Sequence, residues 1–182
     1  MKNSLIKEYI KSDLYRYTGN ISCRLFIKSY IRNRSFKYSF WLRLTQTNQR
    51  FLKFIAMFKL DRLSRKYGIQ ISRHSTIGYG LYIGHGMSII INPTTVIGNN
   101  CNLSQFTSIG ANEGKSAIIG NEVYIGPNVC IVENVTIGDF STIGAGAVVV
   151  KDVPERATVA GVPAKVLTDK QPSRYIKNKW PR

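Results

Sequence analysis

A bulky aliphatic residue recurs every six positions over most of the C-terminal two thirds of the chain. The spacing is interrupted twice, by offsets of eight and ten residues. A period of six fits neither the 3.6-residue repeat of an α-helix nor plain strand alternation, and it is typical of a hexapeptide β-helix with three hexads per coil. We therefore expect a parallel β-helix of a little over four coils. The repeated positions are Ile71, Ile77, Ile83, Ile91, Ile97, Leu103, Ile109, Ile119, Ile125, Ile131, Ile137, Ile143 and Val149.

Each repeated aliphatic has typical neighbours. A glycine usually follows it, as at Gly98 and Gly126, and a small or β-branched residue usually stands two positions before it. The pattern predicts an inward aliphatic stacked on its equivalent in the next coil. It also predicts that the glycine adopts a turn conformation that a side chain would oppose. Cys101 occupies one of the small positions, so we expect it in the core.

The two interruptions of the repeat, at 84–90 and 110–118, predict loops that leave the corners of the β-helix. Insertions in solenoids tend to gather on the functional face. His85 stands in the first interruption, between two glycines, and imidazole titrates near neutral pH. It is the leading candidate for a residue that does chemistry, with a structural turn residue as the alternative. His74 is expected to be an ordinary surface residue.

Residues 1–68 differ in character from the repeat. They hold 16 Lys and Arg against 3 Asp and Glu, a net charge of +13. Apolar spacings of three and four predict three or four amphipathic helices, ending near Gly68. Such a basic block suits an anionic membrane, nucleic acid or an anionic substrate, or it forms a solvated helix face. We divide the chain into this helical region (1–68), the β-helix (69–167) and a basic tail (168–182).

The cysteines and the hydropathy indicate the compartment. Three widely spaced cysteines without a CxxC pair are typical of reduced thiols in the cytosol. The charged N-terminus lacks the apolar core of a signal peptide, and no apolar run approaches the roughly 20 residues of a membrane span. We expect a cytoplasmic protein, with peripheral contact at the inner face of the membrane. No nucleic-acid recognition motif is present, so the membrane is favoured over nucleic acid.

Several longer motifs resemble the left-handed β-helix, hexapeptide-repeat acyltransferases. Within that family the chain looks most like serine acetyltransferases and the related polysaccharide acetyltransferases. The motifs are GLYIGHG at 80–86, INPTTVIGNNCNLSQFTSIG at 91–110, the GK at 114–115, IGAGAVVVKDVP at 143–154 and AGVPAKV at 160–166. The resemblance implies a homotrimer of parallel prisms that holds acetyl-CoA in the groove between neighbouring copies.

The resemblance also implies roles for individual residues. His85 matches the general base, and Gln70 and Asn92 lie where the acceptor is expected. Lys115, Lys151 and Lys165 are candidates for the phosphates of acetyl-CoA. No metal is expected, because His74 and His85 cannot complete the three-histidine zinc site of the γ-class carbonic anhydrases that share this prism. The residues expected along the pantetheine arm are Gly110, Ala111, Pro127, Ala145 and Gly146.

Three positions depart from the serine acetyltransferase pattern. Gln70 and Gly84 stand where aspartates are expected, and Ser116 falls near the place of a second histidine. We therefore expect an acetyl-CoA-dependent O-acetyltransferase that modifies a sugar hydroxyl of a surface polysaccharide or its precursor. The alternatives are serine O-acetyltransferase, which acts in cysteine biosynthesis, and a catalytically silent trimeric scaffold.

Overall fold

The computed structural model describes residues 3–181. In this part of the chain four helices precede the strands, in agreement with the helical N-terminal region expected from the sequence. They are α1 (Asn3–Thr18), α2 (Cys23–Arg32), α3 (Arg34–Leu44) and α4 (Arg50–Tyr67). Gly68 follows α4 in the left-handed conformation (φ 65°) and ends the helix, as the sequence indicated.

Fifteen short strands follow the helices in the described residues. Most contain two residues, as expected when every hexad supplies one short strand and one turn. They are β1 (Gln70–Ile71), β2 (Thr76–Ile77), β3 (Tyr82–Ile83), β4 (Ile90–Ile91), β5 (Val96–Ile97), β6 (Asn102–Leu103), β7 (Ser108–Ile109), β8 (Ile118–Ile119), β9 (Tyr124–Ile125), β10 (Cys130–Ile131), β11 (Thr136–Ile137), β12 (Thr142–Ile143), β13 (Val148–Val149), β14 (Thr158–Ala160) and β15 (Lys165–Thr168).

The strands form the three faces of a prism. Sheet A has the order β1-β4-β7-β10-β13, sheet B the order β11-β8-β5-β2, and sheet C the order β15-β14-β12-β9-β6-β3. All strand pairs are parallel except β14 with β15, which closes the last coil. The register is in phase throughout, so that Ile71 lies beside Ile91 and Ile91 beside Ile109.

The core of the prism consists of the residues that define the repeat. All thirteen aliphatic positions are buried, with exposed fractions of 8% or less. Cys101 is fully buried, as expected, and burial raises the pKa of its thiol to about 12. The predicted fold class, a parallel β-helix with an α-helical N-terminal region, is confirmed.

The expected reason for the repeated glycines is wrong. Gly98 and Gly126 do not have positive φ; a Cβ on Gly98 would lie 2.5 Å from the Gly120 oxygen, and one on Gly126 would lie 2.8 Å from the Ile143 oxygen. These glycines are required because consecutive coils approach closely there. Most of the left-handed corner positions are occupied by larger residues, among them Asn100, Phe106, Glu122, Asn128, Asn134, Phe140 and Arg156.

The helical region attaches to the first coil through a buried ion pair. The Arg43 guanidinium donates to both carboxylate oxygens of Asp13, at 2.9 and 3.0 Å, and also to the carbonyl oxygens of Ile77 and Gly78. Asp13 accepts a third hydrogen bond from Leu81 N–H at 2.8 Å. Burial raises the pKa of Asp13, and the Arg43 guanidinium and the Leu81 N–H oppose that rise. The pair therefore joins α1, α3 and the chain around β2 and β3.

Arg16 forms a second attachment nearby. It donates to the Gly80 carbonyl oxygen at 2.7 Å, to Asn102 Oδ1 at 2.6 Å and to the Lys177 carbonyl oxygen at 3.0 Å. Arg16 and Arg43 are both buried. Part of the basic surplus of residues 1–68 is therefore internal and structural, and it does not belong to a solvated or lipid-facing surface.

The C-terminal residues pack beside sheet C. Trp180 N–H donates to Asn100 Oδ1, Ser173 N–H donates to the Phe140 carbonyl oxygen, and Lys179 forms an ion pair with Glu122. These contacts join the tail to the prism, while the proposed three-part division of the chain stays a prediction. Among residues 3–181 no helix is long and apolar enough to cross a membrane.

The buried ion pair should dominate the stability of the helix–prism junction. Replacing Asp13 by alanine leaves the Arg43 charge buried and unpaired, which should lower the free energy of unfolding by about 3–5 kcal/mol. Asp61→Ala, which breaks the exposed Asp61–Arg65 pair, should cost less than about 1 kcal/mol. Urea unfolding monitored by circular dichroism measures both values. Equal small losses for the two variants would show that the junction does not depend on this pair.

Candidate active site

His85 lies at a corner of the prism, in the segment that connects β3 of sheet C to β4 of sheet A. Its backbone has φ 53°, a conformation unusual for a residue other than glycine. The flanking residues are fixed, because Gly84 N–H donates to the Leu103 carbonyl oxygen at 2.7 Å and Gly86 N–H donates to Ser35 Oγ at 2.9 Å. These hydrogen bonds hold the backbone on both sides of His85. His85 itself is exposed, so its imidazole is accessible.

The end of α1 positions the strand that leads to His85. Tyr17 Oη accepts a hydrogen bond from Ile83 N–H at 2.9 Å and donates one to the Ile83 carbonyl oxygen at 3.2 Å. Burial raises the pKa of the Tyr17 phenol, so it stays neutral and can both accept and donate. A side chain of the helical region thus replaces the strand partner that the first coil lacks on this side.

A cavity of about 720 Å³ opens beside His85. Its walls are the end of α1, the facing side of α2, the turn between α2 and α3, and the segment of β3 that precedes His85. Lys28, Arg32 and Arg34 contribute positive charge to the wall. The volume lies within the range of small-molecule binding sites. The cavity can therefore hold an acceptor next to a base.

One edge of the prism carries His85 together with three predicted cofactor residues. We call it the His85 edge and define it as residues 84–89, 104–107, 126–129 and 144–147, which all connect sheet C to sheet A. Pro127, Ala145 and Gly146 lie on this edge, and Gly146 N–H donates to the Pro127 carbonyl oxygen at 2.8 Å. The fold therefore brings these residues, far apart in sequence, into one line with the candidate base.

A second edge carries most of the other predicted residues. We call it the loop edge and define it as residues 92–95, 110–117, 132–135 and 150–152, beyond the opposite ends of the strands of sheet A. It carries Asn92, Gly110, Ala111, Lys115 and Lys151. Sheet A separates the two edges, so within one chain these residues are not brought to His85.

Gln70 lies on sheet A, in a groove of about 490 Å³ that it shares with Asn92, Gly110 and Ala111. Among residues 3–181 no hydrogen bond joins Gln70 to His85, and the expected place of Gln70 at the acceptor stays a prediction. Asn92 has a structural task at the loop edge: its Oδ1 accepts from Thr94 N–H at 2.9 Å and its Nδ2 donates to the Ala111 carbonyl oxygen at 3.3 Å.

The residues expected along acetyl-CoA leave room for a ligand. A Cβ added to Gly110 or Gly146 would meet no atom within 4 Å, unlike the glycines between coils, and Ala145 is exposed. Both edges therefore present small residues and open backbone, which suits close contact with an extended arm. Lys115, Lys151 and Lys165 are exposed; their assignment to the phosphates stays a prediction.

The sequence patterns did not identify Glu133, the residue that holds the loop 110–117. The Glu133 carboxylate, one coil further on, accepts hydrogen bonds from the N–H groups of Asn112, Glu113 and Gly114 at 2.6, 2.9 and 2.9 Å. The N–H groups of Gly114, Asn112 and Glu113 lower the pKa of Glu133. No local pattern signals this, because the carboxylate and the loop are about 20 residues apart.

Comparison with known proteins gives the same class of fold. Residues 116–151 match the family described as bacterial transferase hexapeptide (six repeats). The chain is similar to serine acetyltransferases of Synechococcus elongatus (34% identical, 59% of this chain and 46% of the relative) and Bacillus subtilis (36%, 59% and 52%). It thus spans about half the length of these curated relatives.

Solved structures cover more of the chain. The serine acetyltransferase of Neisseria gonorrhoeae in complex with serine matches with a TM-score of 0.74 and 30% identity, over 91% of this chain and 70% of that one. The Brucella abortus enzyme in complex with coenzyme A matches with a TM-score of 0.73 and 25% identity, over 91% and 68%. Fold and site together define a hexapeptide-repeat transferase. The chain belongs to the left-handed β-helix, hexapeptide-repeat acetyltransferase family, in its serine acetyltransferase-like branch.

The expectation of a sugar acceptor, and with it a place in polysaccharide biosynthesis, is wrong. The relatives and solved structures described above are serine acetyltransferases. The departures at Gln70, Gly84 and Ser116 led to that expectation. They do not outweigh the similarity to a serine acetyltransferase over 91% of this chain.

The three hydrogen bonds to Glu133 should hold the loop 110–117. Because the folded-state pKa is lowered, this contribution is present at neutral pH and is lost only when pH falls through that lowered pKa, below the usual range of glutamate. Glu133→Gln should therefore speed exchange of the amides of 112–114 at pH 7 by about tenfold. Hydrogen exchange measures the effect, with Glu155→Gln as the control. Unchanged exchange in both variants would mean that Glu133 does not hold the loop.

Proposed function

We propose that this chain is an acetyl-CoA-dependent serine O-acetyltransferase with His85 as the general base. The observation that carries the proposal is the placement of His85. Its exposed imidazole lies at the mouth of a cavity, on the prism edge that also carries Pro127, Ala145 and Gly146. The similarity to the Neisseria gonorrhoeae enzyme in complex with serine and to the Brucella abortus enzyme with coenzyme A supports the choice of substrates.

The chemistry follows from the two reactants. A serine hydroxyl is a poor nucleophile towards a thioester until its proton is removed. A neutral imidazole at His85 takes that proton as the oxygen attacks the thioester carbonyl, typically a contribution of about 10²–10⁴-fold. The tetrahedral intermediate then collapses, the carbon–sulfur bond breaks, and the imidazolium returns the proton to the sulfur of coenzyme A. The products are the O-acetyl ester and the free thiol.

A homotrimer is part of the proposal because the predicted residues lie on two edges. The His85 edge and the loop edge border opposite sides of sheet A, which keeps them apart within one chain. Packing copies side by side with parallel axes places the loop edge of one copy against the His85 edge of its neighbour. Lys115 and Ala111 of one copy would then complete the groove that contains His85 of the next.

Replacing the base tests the proposal directly. His85→Asn should lower the rate of serine-dependent thiol release by at least about 10²-fold and leave coenzyme A binding unchanged, because only proton removal is lost. His74→Asn is the matched control, since His74 is also exposed and its Nε2 accepts a hydrogen bond from Arg73 at 3.0 Å. Thiol release is followed with a chromogenic thiol reagent. If His85→Asn stays within about threefold of the parent enzyme, His85 is only a turn residue.

We also propose that the exposed face of α4 contacts an anionic membrane. Phe51, Phe54 and Phe58 lie at helical spacing on one face, with exposed fractions of 79, 71 and 53%. The same helix carries six Lys and Arg against one Asp. Exposed aromatic residues among basic side chains match the chemistry of an anionic lipid surface, with about 1 kcal/mol for each basic residue near it.

Sedimentation with vesicles checks the membrane contact. The protein should sediment with phosphatidylserine-containing vesicles at low salt, dissociate as salt increases, and bind pure phosphatidylcholine less. The double variant Phe51→Ala/Phe54→Ala should lose binding. The double variant Ile27→Ala/Ile31→Ala, which removes two other exposed apolar residues, from α2, should retain it. Negligible binding to both vesicle types at low salt would contradict the membrane contact.

A further inference from the structure

We propose that Lys28, Arg32 and Arg34 form an anion subsite in the cavity beside His85, and that this subsite holds the carboxylate of the acceptor. The inference rests on the proposed function and extends it to the chemical class of acceptor. That class is a small hydroxy acid, for which the negative charge is required and an ammonium group is not.

The first observation is the charge of the cavity wall. Three of its lining residues are Lys or Arg, and none of the lining residues in the described chain is Asp or Glu. Among residues 3–181 neither Lys28 nor Arg32 takes part in an ion pair. Arg16 and Arg43 differ, since protein oxygens surround their guanidinium groups. The cavity therefore presents positive charge that no carboxylate of the described residues neutralises through an ion pair with Lys28 or Arg32.

The second observation is the position of Arg34 relative to the base. Arg34 Nη2 lies 3.4 Å from the His85 carbonyl oxygen, and its guanidinium stacks 5.7 Å from the centre of the Tyr67 ring. These two contacts orient the guanidinium at the mouth of the cavity. Arg34 and His85 both line this cavity. An acceptor bound there can offer its carboxylate to the guanidinium and its hydroxyl to the imidazole.

The residue types indicate what the subsite binds. A guanidinium presents paired N–H groups that match a carboxylate or a phosphate, and charge-assisted hydrogen bonds are the stronger kind. No acidic group of the wall is available to hold an ammonium. The phosphates of acetyl-CoA are a second source of the same anionic chemistry. An experiment therefore has to separate acceptor binding from acetyl-CoA binding.

Steady-state kinetics with three acceptors separate binding of the acceptor from binding of acetyl-CoA. The full-length protein is assayed with L-serine, with glycerate, which keeps the carboxylate but lacks the ammonium, and with L-serinamide, which lacks the carboxylate. We expect glycerate to be used at least as well as serine, and serinamide to be at least about tenfold poorer in kcat/KM. Serinamide accepted as well as serine would overturn the carboxylate subsite.

The variant Lys28→Ala/Arg32→Ala tests whether these two basic side chains of the cavity wall bind the acceptor. It should raise KM for L-serine at least about tenfold, with kcat and KM for acetyl-CoA within about twofold, because it removes ground-state binding of the acceptor only. Arg24→Ala is the matched control, since Arg24 is a basic residue on α2 outside the cavity wall. An unchanged KM for serine, or an increase confined to the KM for acetyl-CoA, would overturn the assignment.

Binding measurements separate this inference from the proposed function. If the parent protein releases no thiol with any acceptor, the proposed function fails. Calorimetric titration with glycerate then tests the subsite alone. Binding to the parent and to Arg24→Ala, with loss in Lys28→Ala/Arg32→Ala, supports the anion subsite without turnover. Equal binding to all three proteins, or binding to none, rejects it.

Discussion

The buried contact between Asp13 and Arg43 is the interaction on which the active end of the molecule depends. The first coil of a β-helix has no preceding coil to satisfy its backbone, and here α1 and α3 supply the missing partners. Arg43 binds the carbonyl oxygens of Ile77 and Gly78, and Asp13 accepts from Leu81 N–H. Tyr17 continues the same role at Ile83, two residues before His85. The helical region thus caps the prism and fixes the segment that carries His85, the proposed base.

In the proposed function, two edges of the prism share the catalytic task. One edge holds the imidazole and the small residues that allow close approach. The other holds Lys115 on a loop that Glu133 fixes through three backbone hydrogen bonds. Sheet A lies between the edges, so the proposed homotrimer would unite them where one chain does not. The candidate base, His85, and Lys115 both stand where the repeat is interrupted.

Local sequence patterns predicted the fold because every hexad repeats the same inward aliphatic residue, which belongs to one short strand followed by one turn. The buried aliphatics, the inward Cys101, the stop at Gly68 and the corner position of His85 all follow from short-range spacing. The reason for the glycines was wrong, since Gly98 is required by the approach of the next coil and not by its own φ. The Asp13–Arg43 pair and the Glu133 contacts join residues about 20 or more positions apart, and no single-sequence period encodes such pairs. The acceptor was also predicted wrongly, because three substituted positions outweighed the overall similarity to serine acetyltransferases.

The proposed reaction is the transfer of an acetyl group from acetyl-CoA to serine. The most direct measurement is the rate of coenzyme A release by the purified chain with acetyl-CoA, in the presence and absence of L-serine. The proposed function predicts release that depends on serine, saturates as serine is increased, and yields O-acetylserine in equal amount to the thiol. Release that does not rise above the rate without serine, in a protein that is folded and binds coenzyme A, would contradict it.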